Sequence, residues 1–431
     1  MSLESLFSPK SVLLIGSSKI SDKCIMATPE IFGRVQKNLG RYGGMLHVRD
    51  IENAGTKSAL PECDLTVAVL PPEKIIGILP KLKTKSLVLL SSGFEAKERE
   101  RLRSFAGKFR ILGSNSVCGV INAHNSLNTT FERDLDIRPG KISVISQSGG
   151  VGATLLDYMV CRKTGISKFA WVGEMADINE CDLLEYMISD EKTATILIYL
   201  ETIKDTRRFM QIARQSTKPI VILKSGISKE AKKRALTHTD SLSTDYEIYS
   251  SAFRQAGVIE AASVRELFNC GLLFERYRKR RVEKIAIVSN TGGSSIIAAD
   301  FCHRQGLELA ELSEKTKREI SKKYPSIKVH NPLDMTAGAD GERYKFILDV
   351  VAKDPRVDAI LIINQLKSCL LKPEDLEALK RLKTGKIVVD CAPGDDDFRN
   401  IRFFLGDTFP IYNAVEDAVT VIAKAKEYGK R

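Results

Sequence analysis

Lys141–Gly152, KISVISQSGGVG, passes from one hydrophobic period to another. Lys141–Ile145 is a short apolar run, the pattern of a buried strand. Ser146-Gln147-Ser148-Gly149-Gly150-Val151-Gly152 then opens a helical pattern that continues to about Arg162. Strand, small polar turn and helix make the unit from which parallel α/β sheets are built. The same order recurs at Lys284–Ser289, where Asn290-Thr291-Gly292-Gly293-Ser294 opens a helix to about Gln305. Two such units suggest two related α/β folds in tandem. Ser146, Ser148, Gly149 and Gly150 place hydroxyls and free N–H groups at a helix start, where the dipole is positive; that suits an anion. The same residues serve equally as a glycine-assisted turn with a serine N-cap.

On the amino-terminal side, residues 10–130 alternate apolar runs with amphipathic segments. Val12–Ile15, Leu65–Leu70, Ser86–Leu90 and Phe109–Leu112 read as strands of a parallel, doubly wound sheet. Ligands of such sheets bind outside the carboxyl ends of the strands. The small turns at those ends are Gly16-Ser17-Ser18, Pro71-Pro72, Ser91-Ser92-Gly93-Phe94 and Gly113-Ser114-Asn115. None is a GxGxxG fingerprint, so a nicotinamide dehydrogenase is disfavoured.

On the carboxyl-terminal side, Thr195–Leu200 is a buried strand that ends in Glu201, and Pro219–Leu223 is another. Leu223–Thr244, LKSGISKEAKKRALTHTDSLST, then separates that strand from a helical pattern at Tyr246–Gly257. A connection of this length inside an α/β unit is commonly functional. Of the five histidines, His238 is the one flanked by hydroxyls on both sides. Taken by itself the loop reads as solvated, with an incidental histidine; Glu201 reads equally as a helix-start acid. Taken together, a loop histidine, a strand-end carboxylate and an anion-binding helix start suit phosphoryl transfer. A neutral imidazole is a competent nucleophile toward phosphorus, and a carboxylate on its far nitrogen fixes the tautomer. There is no GxxxxGK[ST] motif, kinase set or metal-carboxylate cluster, so the nucleotide has to be held by another chain and no metal ligand is assigned.

Composition agrees with a multidomain globular protein. The chain has 431 residues, 43% of them hydrophobic, and a net charge of +12. No apolar run reaches the roughly eighteen residues of a membrane span. The N-terminus lacks a basic region followed by an apolar one, so no secretory signal is expected. Nine dispersed cysteines without CxxC pairs read as reduced thiols, and a cytoplasmic protein is expected. The basic surplus suits an acidic partner such as a nucleotide or coenzyme A. Its densest run, Arg276–Lys284 (RYRKRRVEK), lies at a domain junction without interleaved aromatics, and reads as a solvated linker rather than a nucleic-acid site.

In this order and spacing, Ile145–Gly150 (ISQSGG), Asp190–Glu201 (DEKTATILIYLE), Lys224-Ser225-Gly226, Thr237–Ser241 (THTDS), Asn290–Gly293 (NTGG) and Asn331–Asp334 (NPLD) resemble one family. It is the α subunit of the ADP-forming acyl-CoA synthetases, relatives of succinyl-CoA synthetase, and the resemblance runs from about Ser11 to Tyr428. It implies a Rossmann-like coenzyme A domain at 1–136, then two flavodoxin-like doubly wound domains, a ligase domain at 137–278 and a further one at 283–431. It implies an ATP-grasp β subunit in an α2β2 hetero-oligomer, with ADP or ATP and Mg held on that partner. The implied substrates are acyl-CoA and phosphate; neither nucleic acid nor a membrane is involved. By the same resemblance His238 is the phosphorylated residue and Glu201 supports it, while Ser146, Ser148, Gly149 and Gly150 hold phosphate. Gly16, Ser17, Ser18, Pro71, Ser92, Gly93 and Phe94 match coenzyme A turns; Asn115 and Ser116 match the substrate turn. The sequence departs from the family at Asp240, where glycine is usual, at Gly173-Glu174, where the family has Gly-Asn, in the longer, proline-free turn Gly113–Gly119, and at Val48-Arg49-Asp50, which follow the expected second strand. Those departures motivate an alternative, a non-catalytic coenzyme A-sensing subunit of the same fold.

Overall fold

The computed structural model describes residues 2–19, 24, 26–52, 59–228, 230–231, 246–367, 370–406 and 408–430. His238 and Asp240 therefore lie outside the described residues. Two compact units are present, Met1–Gly271 and Leu272–Arg431.

The first sheet is wholly parallel, with β1 (Ser11–Gly16), β2 (Met45–Asp50), β3 (Cys63–Val69), β4 (Thr84–Leu89) and β5 (Arg110–Leu112) in the order β2-β1-β3-β4-β5. Its central strands are continuous apolar runs because helices cover both faces; Val12, Leu13, Leu14 and Ile15 are all buried. The order turns back between β1 and β3, which opens a crevice at Gly16 and Leu70-Pro71. Val48-Arg49-Asp50 belong to β2 itself rather than following it.

The second sheet contains β6 (Val120–Asn122), β7 (Leu127–Asn128), β8 (Pro139–Ser146), β9 (Ile166–Trp171), β10 (Thr195–Leu200), β11 (Ile220–Lys224) and β12 (Ile259–Glu260). Their order is β12-β11-β10-β8-β9-β6-β7, parallel except for β6, which is antiparallel to β7 and β9. The reversal falls between β8 and β10. The β6–β7 hairpin, inside the expected first domain, is hydrogen-bonded into this second sheet, so the chain crosses between the two lobes before residue 136.

The two lobes of the first unit are stitched by polar and aromatic contacts. Arg110 on β5 pairs with Asp177 at 2.9 Å and Asp182 at 2.8 Å, all three largely buried. Phe7 stacks on Tyr186 with centroids 4.9 Å apart, and Asn122 donates to Phe7 O at 2.9 Å. Partner loss at such buried pairs costs more than at exposed ones, because the remaining charge is left desolvated.

The second unit carries β13 (Lys284–Ser289), β14 (Glu308–Leu309), β15 (Leu333–Asp334), β16 (Ala359–Ile363), β17 (Ile387–Cys391) and β18 (Ile411–Tyr412). The path is β14-β13-β16-β17-β18, with β15 also on β13. Leu333–Asp334, within the NPLD motif, thus adds a short strand. The basic junction is more ordered than a free linker. Val282 is buried, Tyr277 donates to Val388 O at 3.1 Å, and Glu283 pairs with Lys426 at 3.0 Å. A Rossmann-like domain is followed by two flavodoxin-like ones. Among the described residues, no helix is long and apolar enough to cross a membrane.

Candidate functional site

The carboxyl end of the second sheet gathers Ser146, Ser148 and Glu201. Ser146 closes β8 and is fully buried, its hydroxyl donating to Ser148 O at 2.8 Å. Ser148 caps the helix Gly149–Cys161 by accepting from Val151 N at 3.3 Å, which leaves the first N–H groups of the helix facing the crevice. A Cβ at Gly150 would meet nothing within 4 Å, whereas one at Gly152 would lie 2.2 Å from Trp171 Nε1. Gly152 therefore serves packing, and Gly150 leaves open space at the helix start.

Glu201 follows β10 directly, across the reversal from Ser146. Its N–H donates to Gln147 Oε1 at 2.8 Å, and its carbonyl accepts from Lys224 Nζ at 2.6 Å. Its Oε1 lies 3.5 Å from Tyr199 OH, which is 3.0 Å from Ser225 Oγ. Burial above all, with Glu201 beside it, holds the Tyr199 phenol above its ordinary pKa, so it stays protonated at neutral pH. Lys224-Ser225-Gly226, at the end of β11, is thereby tied to Glu201. Gly226 takes a left-handed backbone (φ 81°), which suits glycine. Tyr246 opens the helix Tyr246–Ala256, and its OH donates to Glu260 Oε2 at 2.9 Å; burial and that carboxylate push its phenol up to about 12. His238 itself lies outside the described residues, so the Glu201–His238 pairing is not among the contacts.

The turn Gly113–Gly119 connects the two lobes at this end. Asn115 N donates to Ser91 O at 2.7 Å and Ser116 N to Leu89 O at 3.0 Å, which fastens the turn to the end of β4. Ser116 Oγ donates to Trp171 O at 2.6 Å, and Ser114 Oγ to Glu174 Oε2 at 2.6 Å, which fastens it to the end of β9. Asn115 and Val117 both have positive φ, 54° and 52°. A β-branched residue there is strained, and Val117 packs directly over Gly149. Ser116 is fully buried; Asn115 is partly exposed.

The first-sheet candidates also share one sheet end. Gly16 ends β1, where a Cβ would lie 2.1 Å from the Phe32 ring. Ser17 Oγ donates to Lys19 O at 3.3 Å, and Ser18 N to Asp50 Oδ1 at 3.2 Å. Pro71 precedes the helix Pro72–Ile78. Ser92 O accepts from Cys24 Sγ at 3.6 Å, Gly93 is left-handed (φ 84°) with open space around it, and Phe94 is buried. Gly16, Ser17 and Ser18 thus flank the β1/β3 crevice with Pro71, and Ser92–Phe94 border it from β4.

Three contributors were not singled out from sequence. Gln147 sat inside the quoted ISQSGG without a role of its own. Tyr199 sat inside an apolar run. Glu52 bridges Lys74 and Lys19, whose hydrogen bonds hold its carboxyl below the usual range. Such roles depend on contacts between distant residues and leave no periodic trace. Among the described residues, no group of three or more His, Cys, Asp or Glu could hold a metal ion.

Known proteins with the same plan follow this geometry. Residues 139–274 match the succinyl-CoA ligase like flavodoxin domain, and residues 285–382 the ligase-CoA domain. The chain is 32% identical to the ADP-forming acetate–CoA ligase I subunit alpha of Pyrococcus furiosus, over 100% of this chain and 98% of that one. The corresponding II subunit alpha is 34% identical over 90% and 89%. The ADP-forming acetate–CoA ligase I of Archaeoglobus fulgidus is 32% identical over 99% of this chain but 64% of its own length. In three dimensions the chain is similar to a Ca. Korarchaeum cryptofilum acetyl-coenzyme A synthetase solved with phosphate and ADP. The TM-score is 0.87 at 27% identity, over 100% and 97% of the two chains. On identity and coverage of this extent, the chain belongs to the family of α subunits of ADP-forming acyl-CoA synthetases.

Proposed function

We propose that the chain is the α subunit of an NDP-forming acyl-CoA synthetase. It reversibly converts acyl-CoA, ADP and phosphate to carboxylic acid, coenzyme A and ATP. Phosphate attacks the thioester carbonyl, the C–S bond breaks, and coenzyme A leaves an acyl phosphate. His238 takes the phosphoryl group from the acyl phosphate, which releases the carboxylate. The phosphohistidine then passes the group to ADP. Glu201 fixes the imidazole tautomer and stabilises the ring's positive charge. Ser146, Ser148, Gly149 and Gly150 hold the transferring phosphate, where fixed dipoles do most of the catalysis. Gly16, Ser17, Ser18, Pro71, Ser92, Gly93 and Phe94 take coenzyme A, and Asn115 and Ser116 face the acyl group.

One observation carries this reading: Glu201 stands across the β8/β10 reversal from the Ser146–Gly150 helix start, hydrogen-bonded to the stem of the His238 loop. A partner ATP-grasp β subunit supplies ADP or ATP and Mg. The relatives named as alpha subunits, and the longer Archaeoglobus fulgidus ligase of which this chain spans 64%, support such a partner. A cytoplasmic α2β2 assembly completes the proposal. The sequence departure at Asp240 supports the second reading, a coenzyme A sensor without turnover. Mixing the chain with its co-purifying partner, ADP, phosphate and a series of acyl-CoAs tests both. ATP and free coenzyme A formed in equal amounts support the synthetase. Tight coenzyme A binding without ATP from any acyl-CoA leaves the sensor.

A further inference from the structure

Residues 201–205 connect β10 to the helix Thr206–Gln215 outside any ladder, yet Thr202 and Ile203 are buried. Their backbone N–H groups need acceptors. Gln147 Oε1 accepts from Glu201 N at 2.8 Å and from Thr202 N at 2.9 Å, while its Nε2 donates to Thr202 Oγ1 at 3.0 Å. Its own backbone N donates to Tyr199 O at 2.9 Å. From the other side, Lys224 Nζ reaches Glu201 O and Ser225 O, both at 2.6 Å, and lies 5.1 Å over the Tyr249 ring. Gln147 and Lys224 are both largely buried. Both polar groups of the Glu201 peptide are thus held by side chains. One comes from between the two serines of the helix start, the other from the stem of the histidine loop.

We infer that Gln147 and Lys224 are positioning residues that clamp the Glu201 peptide and so fix the carboxylate relative to the helix start. Neither needs to touch substrate; both act through Glu201. The inference rests on the phosphohistidine reading above. A carboxylate that supports an imidazole must be held to a fraction of an ångström, and a misplacement of about 1 Å costs on the order of 100-fold in rate.

The test uses the full chain with its β subunit and follows phosphorylation of the chain by ATP in single turnovers. Gln147→Leu, which removes the acceptor, is expected to slow labelling about 100-fold. Gln147→Glu, which keeps an acceptor for the two N–H groups, is expected to recover much of it. Glu201→Ala serves as the background of a double-mutant cycle. If Gln147 acts through Glu201, adding Gln147→Leu there produces little further loss. Equal losses in both backgrounds, or labelling at the wild-type rate in Gln147→Leu, would overturn the clamp. Should Gln147→Leu fail to fold, Lys224→Met is put through the same cycle with the same expected non-additivity. A wild-type chain that takes no label contradicts the phosphohistidine reading instead, so the two failures are distinct.

Discussion

The second and third sheets repeat one local design with different chemistry. Each has a central strand ending in serine, β8 at Ser146 and β13 at Ser289. In each, that serine donates to the carbonyl two residues on, Ser146 to Ser148 at 2.8 Å and Ser289 to Thr291 at 3.0 Å. The next residue is an amide side chain that crosses the topological reversal. Gln147 reaches Glu201 after β10. Asn290 reaches Gln365 after β16, accepting from its N–H at 3.0 Å and donating to its carbonyl at 2.9 Å. Register makes Glu201 and Gln365 equivalent, since Ser146 pairs with Tyr199 and Ser289 with Ile363. The clamp is therefore a property of the fold, and the chemistry lies in the side chain it holds, a carboxylate in one sheet and an amide in the other. The helix starts differ too. Ser148 caps its helix; Thr291 makes no side-chain cap bond, and Asp334 Oδ2 would lie 3.1 Å from a Cβ at Gly292. The positive end of the helix Gly292–Arg304 already has a carboxylate against it.

Exchanging the clamped side chains separates the two sheets most sharply. Glu201→Ala is expected to lower turnover about 100-fold or more, while Gln365→Ala costs less than about 10-fold; steady-state rates with the β subunit measure both. A similar loss at the two positions would erase the distinction.

The next effect is on stability and belongs to the third sheet. Asp390 on β17 is fully buried and accepts from Asn364 Nδ2 at 2.7 Å. Asp390 Oδ1 and Asn364 Oδ1 have no partner, and a carboxyl proton between them would satisfy both. Burial pushes the Asp390 carboxyl up to about 8. The unfolded carboxyl ionises near 3.9. Its contribution to folding is therefore complete below about pH 4, falls as pH rises, and is lost by about pH 8. Asp390→Asn removes that slope and stabilises the unit near pH 8 by about 2 kcal/mol. Hydrogen exchange of peptides around residues 384–394 at pH 5 and 8 reads it.

Ser148→Ala is expected to cost about 1 kcal/mol, because a working cap is lost, and to raise the phosphate requirement. Thr291→Ala changes stability by less than about 0.5 kcal/mol. Gly150→Ala and Gly293→Ala both enter open space and act in the stabilising direction. Each gains about 0.5–1 kcal/mol in melting experiments from helix propensity. Only Gly150→Ala should lose activity, since its methyl occupies the phosphate approach.

Much of the fold was legible because its strands are continuous apolar runs with polar stops; Thr195–Leu200 and Lys284–Ser289 have the same ends in the structure. The strands without a continuous apolar run break this rule for physical reasons. β2 lies at a sheet edge and is only partly buried along most of its length. β9 contains Ser167 and Lys168, which read as polar, yet Lys168 is buried against Asp190 at 3.0 Å. β6 and β7 are too short to show a period. Of the site, the helix start and Glu201 were legible as a strand-end serine–glycine turn and a strand-end acid. Gln147 and Tyr199 were not, because their roles arise from hydrogen bonds between strands far apart in sequence.

The central claim is that phosphoryl transfer runs through the loop whose stem is tied to Glu201. It is tested most directly by incubating the chain with its β subunit, Mg²⁺ and γ-labelled ATP, then mapping the label after a basic quench. The account predicts acid-labile, base-stable phosphate on the peptide containing His238, absent from His238→Ala. Label that persists in that variant, or that maps to a peptide of the Leu272–Arg431 unit, would contradict it.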